Sequence, residues 1–120
     1  MISVAKVMEK LFSYGTLQQA NVQLKTFGRI FDGKGDVLPG YVLSDIKIKD
    51  KNVIETSGTD IHPILKYTGN SNDEVEGIVF EITQSELNQS DNYEVDEYKR
   101  ILATLKSGTS AWVYTEVDDT

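Results

Sequence analysis

The residues with chemistry in them fall in two short stretches. The first is Tyr14-Gly15-Thr16-Leu17, where the apolar run Leu11-Phe12-Ser13-Tyr14 meets a glycine and then a helical pattern. A strand that turns at a glycine into a helix leaves the amides of Gly15, Thr16 and Leu17 at the helix start, without acceptors inside the helix. Such a group of N–H donors suits an anion, either a carboxylate or a small phosphate. The second stretch is Ser90-Asp91-Asn92-Tyr93-Glu94, with Asp96 and Glu97 close behind. Crowded carboxylates raise one another's pKa, and so does burial against a ring such as Tyr93. A carboxyl tuned upward towards neutrality is what general base and acid catalysis requires. Each stretch also has a plainer reading: a simple glycine turn, and a solvated acidic loop after a helix.

Other reactive side chains do not assemble. His62 is the sole histidine, so a His pair or a His-rich metal site is excluded within one chain, and beside Pro63 it reads as a surface or loop-packing residue. The chain has no cysteine, which removes disulfides, thiolate zinc sites and a cysteine nucleophile together. Asp32-Gly33-Lys34-Gly35-Asp36 resembles a calcium loop only faintly, because Leu43 stands where the twelfth-position glutamate would be; it reads as a turn. Gly33 and Gly35 lack the third glycine and the helix of a dinucleotide fingerprint. No serine has a histidine partner or a nucleophile-elbow setting in the sequence. Trp112 and Tyr114 share a strand face and read as core.

The elements that must hold the two stretches follow from periodicity. Leu11 to Tyr14 reads as a buried strand, and Leu17 to Phe27 as a helix with Leu17, Ala20, Leu24 and Phe27 on its apolar face, stopped by Gly28. A strand is expected from Val37 to Leu43, with Pro39-Gly40 marking an edge or bulge. Ile46 and Ile48 alternate with lysines as in a half-exposed strand. Residues 56–63 read as a polar loop and 64–67 as a strand. Val75 to Ile82 is the clearest strand, with Ile78, Phe80 and Ile82 on one face and Val79 on the other. Thr83-Gln84-Ser85-Glu86 has capping-box form and should open a short helix running towards Asp91. Arg100 to Leu105 and Ala111 to Thr115 read as a hairpin around Lys106-Ser107-Gly108-Thr109. The sum is an α+β fold with a small, strongly curved or barrel-like sheet.

With 120 residues the chain is one domain, 1–120, in which residues 1–7 read as an N-terminal extension and Met8 as an alternative start. Hydrophobic residues make up 39% and charged residues 26%, a globular composition without a membrane span. Net charge is -7, and residues 70–97 carry nine carboxylates with no Lys or Arg, so nucleic acid and anionic membrane surfaces are poor partners. The same acidity hints at a cationic group on whatever ligand is used. The absence of cysteine and of an apolar leader fits a cytoplasmic location.

Taken together, the motifs resemble the gamma-glutamylcyclotransferase-like family. The opening Leu11-Phe12-Ser13-Tyr14-Gly15-Thr16-Leu17 is similar to that family's apolar strand and Tyr-Gly-(Ser/Thr)-Leu turn. Val75-Glu76-Gly77-Ile78-Val79-Phe80-Glu81-Ile82 matches its Val-x-Gly-x-Val-(Phe/Tyr)-x-Ile strand, and Ser90-Asp91-Asn92-Tyr93-Glu94-Val95 with Tyr98-Lys99-Arg100 matches its Leu-Asp-x-(Tyr/Phe)-Glu-Gly and Tyr-x-Arg segments. Pro39-Gly40-Tyr41 and His62-Pro63 are further matches, and the resemblance spans about residues 8–116 in order.

The resemblance implies a small mixed β-barrel flanked by short helices. It also implies a small-molecule γ-glutamyl substrate, held by Tyr14, Tyr98 and the amides of Gly15, Thr16 and Leu17, with Glu94 as the acid/base residue. The implied reaction needs no cofactor and no metal. The substrate's α-amine attacks its own γ-carbonyl, giving 5-oxoproline and a released amine or amino acid. Two residues depart from the pattern: Ser90 stands where an apolar residue is usual, and Val95 where glycine often is. A register slip of three would put Glu97 in the acid/base place. The alternative is a module on the same fold that binds a small metabolite without turning it over. Oligomeric state is not legible.

Overall fold

The computed structural model describes residues 8–94 and 98–117. The expected N-terminal extension, and the tail beyond Val117, lie outside the described residues. Strand β1 (Met8–Ser13) is central. It pairs antiparallel with β5 (Glu74–Thr83) on one side and parallel with β7 (Ser110–Glu116) on the other. Flanked on both edges and covered on both faces, it is apolar in both registers: Leu11 and Phe12 are each 1% exposed, yet they belong to different hydrophobic clusters. The five-stranded sheet runs β2-β5-β1-β7-β6, with β2 (Gly33–Pro39) and β6 (Tyr98–Thr104) at its edges. A separate two-stranded sheet joins β3 (Tyr41–Lys47) to β4 (Ile61–Tyr67). The α+β mixed fold stands, but the expected barrel does not close, because the strands divide between two sheets.

Three α-helices are present among the described residues: α1 (Ala20–Phe27), α2 (Lys51–Ser57) and α3 (Gln84–Tyr93). The helix expected from Leu17 is two pieces, a 3-10 turn at Thr16–Gln18 and then α1. Its expected apolar face is also corrected. Leu24 is 51% exposed, whereas Val22 and Gln23 are buried. Gln23 is a polar core residue because both ends of its amide are used: Nε2 donates to the Leu17 carbonyl and Oε1 accepts from the Phe31 amide, each at 2.8 Å.

The strand expected from Val37 to Leu43 is broken at Gly40, whose φ of 87° turns the chain from β2 in one sheet to β3 in the other. The Asp32–Asp36 segment is not a turn; from Gly33 on it is the β2 edge paired to β5. Residues 56–63, expected as a loop, contain the end of α2 and the start of β4. The half-exposed strand expected around Ile46 and Ile48 ends at Lys47, and Ile48 beyond it is buried, whereas other expectations match. Ile78, Phe80 and Ile82 face the helix-side cluster and Val79 the other, Thr83 and Glu86 form a reciprocal capping box, and β6–β7 is a hairpin.

Candidate functional site

Six elements deliver the site. Strand β1 ends at Ser13, and Tyr14 and Gly15 carry the chain into the 3-10 turn. Gly15 caps that turn at φ -134° and ψ -144° without a side-chain cap, so the first-turn amides find no acceptor within the turn itself. Helix α3 buries Glu86, Leu87, Ser90 and Tyr93 along one face and ends at Glu94, which leaves in an extended conformation while its amide bonds the Ser90 carbonyl at 3.0 Å. Strands β4, β6 and β7 add His62, Pro63, Tyr98 and Tyr114.

These pieces meet in one cleft, whose walls include Tyr14, Gly15, Thr16, Leu17, Glu94 and Tyr98. All six site residues expected from the sequence are therefore brought together. Glu97 and Val95 lie outside the described residues. The cleft has a volume of about 320 Å³, open to solvent at its mouth. A wider groove between Tyr41, Tyr67, Lys99 and Glu116 is less suited to acid–base work, because its carboxylate, Glu116, is paired with Lys66 at 3.6 Å.

The electrostatics of the cleft are set by burial. Desolvation first, and the negative charge of Asp91 second, push the Glu94 carboxyl up to about 8. The phenols of Tyr14 and Tyr114 are held far above their usual range, chiefly by burial, and Tyr93 is raised for the same first reason. Their hydroxyls are spent on the walls: Tyr14 donates to the Tyr114 carbonyl at 2.5 Å, Tyr98 to the Pro63 carbonyl at 2.7 Å, and Tyr93 shares a 2.8 Å bond with Thr16 Oγ1. Among the described residues the cleft thus offers aromatic surface, a glycine-capped first turn and one titratable carboxyl. None of its lining residues is Lys or Arg.

Two residues lie elsewhere than their sequence context suggests. His62 is not at the surface. It is 3% exposed, lines the cleft, and bonds Ser57 Oγ through Nε2 at 2.9 Å, while burial holds its pKa below the usual value and keeps it neutral. Tyr114, expected as core, is core on one side and cleft wall on the other. Ser90, the departure from an apolar residue, is fully buried. Its hydroxyl reaches both the Leu87 carbonyl at 2.8 Å and the Tyr114 hydroxyl at 2.6 Å, so hydrogen bonds replace the missing apolar packing.

Among the described residues no cluster of side chains has the composition of a metal site, and no helix is long and apolar enough to cross a membrane. Among solved structures, the chain is similar to a solution structure of an Arabidopsis thaliana protein, with 20% identity and a TM-score of 0.68 over 94% of this chain and 71% of that one. A second Arabidopsis thaliana structure matches at 22% identity and a TM-score of 0.62, and the chain spans only 66% of its length. A structure described as gamma-glutamyl cyclotransferase matches at 15% identity and a TM-score of 0.71, covering 93% of this chain and 68% of that one. At these identities the likeness is one of fold. No curated protein matches the sequence. The family model of gamma-glutamyl cyclotransferase, AIG2-like proteins matches residues 11–119, nearly the whole chain, and the chain belongs to that family.

Proposed function

We propose that the protein is a γ-glutamyl cyclotransferase that releases 5-oxoproline and a free amine or amino acid from a γ-glutamyl compound, with Glu94 as its acid/base residue. The observation that carries this reading is the convergence of a desolvated carboxyl poised near neutrality and a glycine-capped first turn on one cleft. In this scheme the amides of Gly15, Thr16 and Leu17 hold the substrate α-carboxylate. Tyr14 and Tyr98 flank the glutamyl chain and fold its amine back on its γ-carbonyl. An α-ammonium is not a nucleophile, so Glu94 in its carboxylate form takes its proton. The freed amine attacks the γ-carbonyl and closes the five-membered ring. The C–N bond to the leaving group then breaks as Glu94 returns the proton to the departing nitrogen, and the ring nitrogen gives up its second proton by the same carboxylate to the released amine, leaving the lactam N–H and an ammonium product. Ring closure is intramolecular, so holding a folded conformer supplies much of the acceleration.

The test is 5-oxoproline release from a panel of γ-glutamyl amino acids and γ-glutamyl amines by the parent protein and by Glu94→Gln. Release by the parent with a loss of at least about 100-fold in the variant is expected, the lower end of what a positioned acid/base supplies. Release undiminished in the variant moves the role away from Glu94. No release by the folded parent replaces the enzyme with a small-metabolite-binding module.

A further inference from the structure

Beside the cleft runs a chain of polar contacts that the reaction scheme does not use. Asp91 lies in the last turn of α3 and Glu94 caps that turn three residues on, its amide held by the Ser90 carbonyl at 3.0 Å, so what fixes the end of α3 also fixes where Glu94 leaves it. Asp91 is fixed from two strands. Tyr114 of β7 donates its hydroxyl to Asp91 Oδ1 at 2.7 Å. Arg100 of β6 donates Nη2 to Oδ2 at 3.1 Å, while its Nε stands 2.8 Å from Oδ1 as an ion pair off the hydrogen-bond line. With the Tyr114 proton given to Asp91, the Ser90 hydroxyl, 2.6 Å from the Tyr114 oxygen and 2.8 Å from the Leu87 carbonyl, has a single proton to give to one or the other. The end of α3 is thus tied to the hairpin at two successive residues. Arg100 is itself held over the Trp112 ring at 4.4 Å, and Trp112 Nε1 donates to Glu9 at 2.9 Å.

We infer that Asp91, clamped by Arg100 and Tyr114, is a positioning residue that fixes Glu94 at the cleft and governs when it holds its proton. The inference deepens the cyclotransferase reading and rests on it for its catalytic meaning. The groups around Glu94 leave Asp91 with this task. From the end of β1 comes Tyr14, from β4 His62, from β6 Tyr98, from β7 Tyr114 and from α3 Tyr93. The phenols of Tyr14, Tyr93 and Tyr114 are raised and stay neutral at pH 7, and His62 is lowered and neutral too. Among the described residues around the cleft, the remaining charges are the Asp91 anion and the Arg100 cation that offsets it. A nearby anion favours the protonated form of a carboxyl, and a cation close to that anion weakens the effect. Removing either member of the pair should therefore move Glu94 in opposite directions.

The experiment is a carboxyl carbon NMR titration of Glu94, its resonance identified by its loss in Glu94→Gln. It is run on the parent, Asp91→Asn and Arg100→Met beside the pH profile of kcat/KM. Asp91→Asn is expected to lower the Glu94 midpoint, and the acid limb of the profile with it, by about one pH unit or more. Arg100→Met is expected to raise both. A clamp that only supports the fold would change the melting temperature of both variants and shift neither midpoint. Unchanged midpoints, or shifts of one sign in both, overturn the inference. If Asp91→Asn does not fold, the direction of the Arg100→Met shift decides alone. If the parent shows no turnover, the NMR titration still reads the clamp, so failure of the enzyme reading is seen separately.

Discussion

Burying a carboxyl beside another one has a cost that pH exposes. Glu94 goes from 4.5 in the free side chain to about 8 in the folded protein. Between those values the folded chain keeps a proton that the unfolded chain has released. Stability from this group is therefore fully present below about pH 4.5 and is lost as pH rises through about 8. A gap of one pH unit between the folded and unfolded midpoints corresponds to about 1.4 kcal/mol. Gln is neutral at every pH, so Glu94→Gln is expected to match the parent near pH 4.5 and to melt at a higher temperature than the parent at pH 8.5. Melting temperatures of the pair across that range check it, and parallel curves would remove the buried-carboxyl account. His62 acts with the opposite sign: burial lowers its pKa below 6.5, so its contribution to stability falls as pH drops below that value. Glu94 was legible in the sequence because its motif is local. His62 was not, because its burial depends on Ser57 and Thr59 of another turn meeting β4, which no window around His62-Pro63 records.

At the scale of elements, the cleft depends on how closely β5 approaches β1. A Cβ built on Gly77 would stand 2.5 Å from the Ser13 carbonyl oxygen and 2.6 Å from Phe12 Cζ. The first of these is backbone and cannot swing away. Gly77→Ala is therefore expected to destabilise by about 1–3 kcal/mol, the usual range for overpacking. It is also expected to displace the end of β1 that carries Tyr14, raising KM for γ-glutamyl substrates. Denaturant unfolding and steady-state kinetics check both parts; a variant as stable as the parent would contradict the close packing. The strands and the α3 cap were readable because period-two alternation and the Thr83–Glu86 box are written within a few residues. Helix α2 was missed although its signals are present: Asp50 accepts from the amides of Asn52 and Val53, and Gly58 closes the helix at φ 80°. The face of α1 was misread because apolar periodicity gives no credit to Gln23, whose amide is held in the core by hydrogen bonding.

At the scale of the whole molecule, the acidic run of residues 70–97 looks different once folded. Read along the chain it has nine carboxylates and no base. In space Glu74 meets Lys106 at 2.9 Å, Glu86 meets Arg29 at 2.6 Å and Asp91 meets Arg100 at 2.8 Å, so residues from both ends of the chain offset part of the run. Sequence order cannot show this, and it also hid the division of the strands between two sheets rather than one closed barrel. What remains is the net charge of -7, a diffuse field that steers encounters and makes no contact. Steering of this kind acts on association and is screened over about 8 Å at physiological ionic strength. Among γ-glutamyl substrates with leaving groups of matched size, a cationic one is therefore expected to exceed a neutral one in kcat/KM at low salt by no more than about tenfold, the low end for electrostatic steering. The ratio should fall towards one as salt rises, while the kcat ratio stays flat. A preference that persists at high salt would instead require a carboxylate in direct contact with the leaving group, and equal rates at low salt would remove steering from the account.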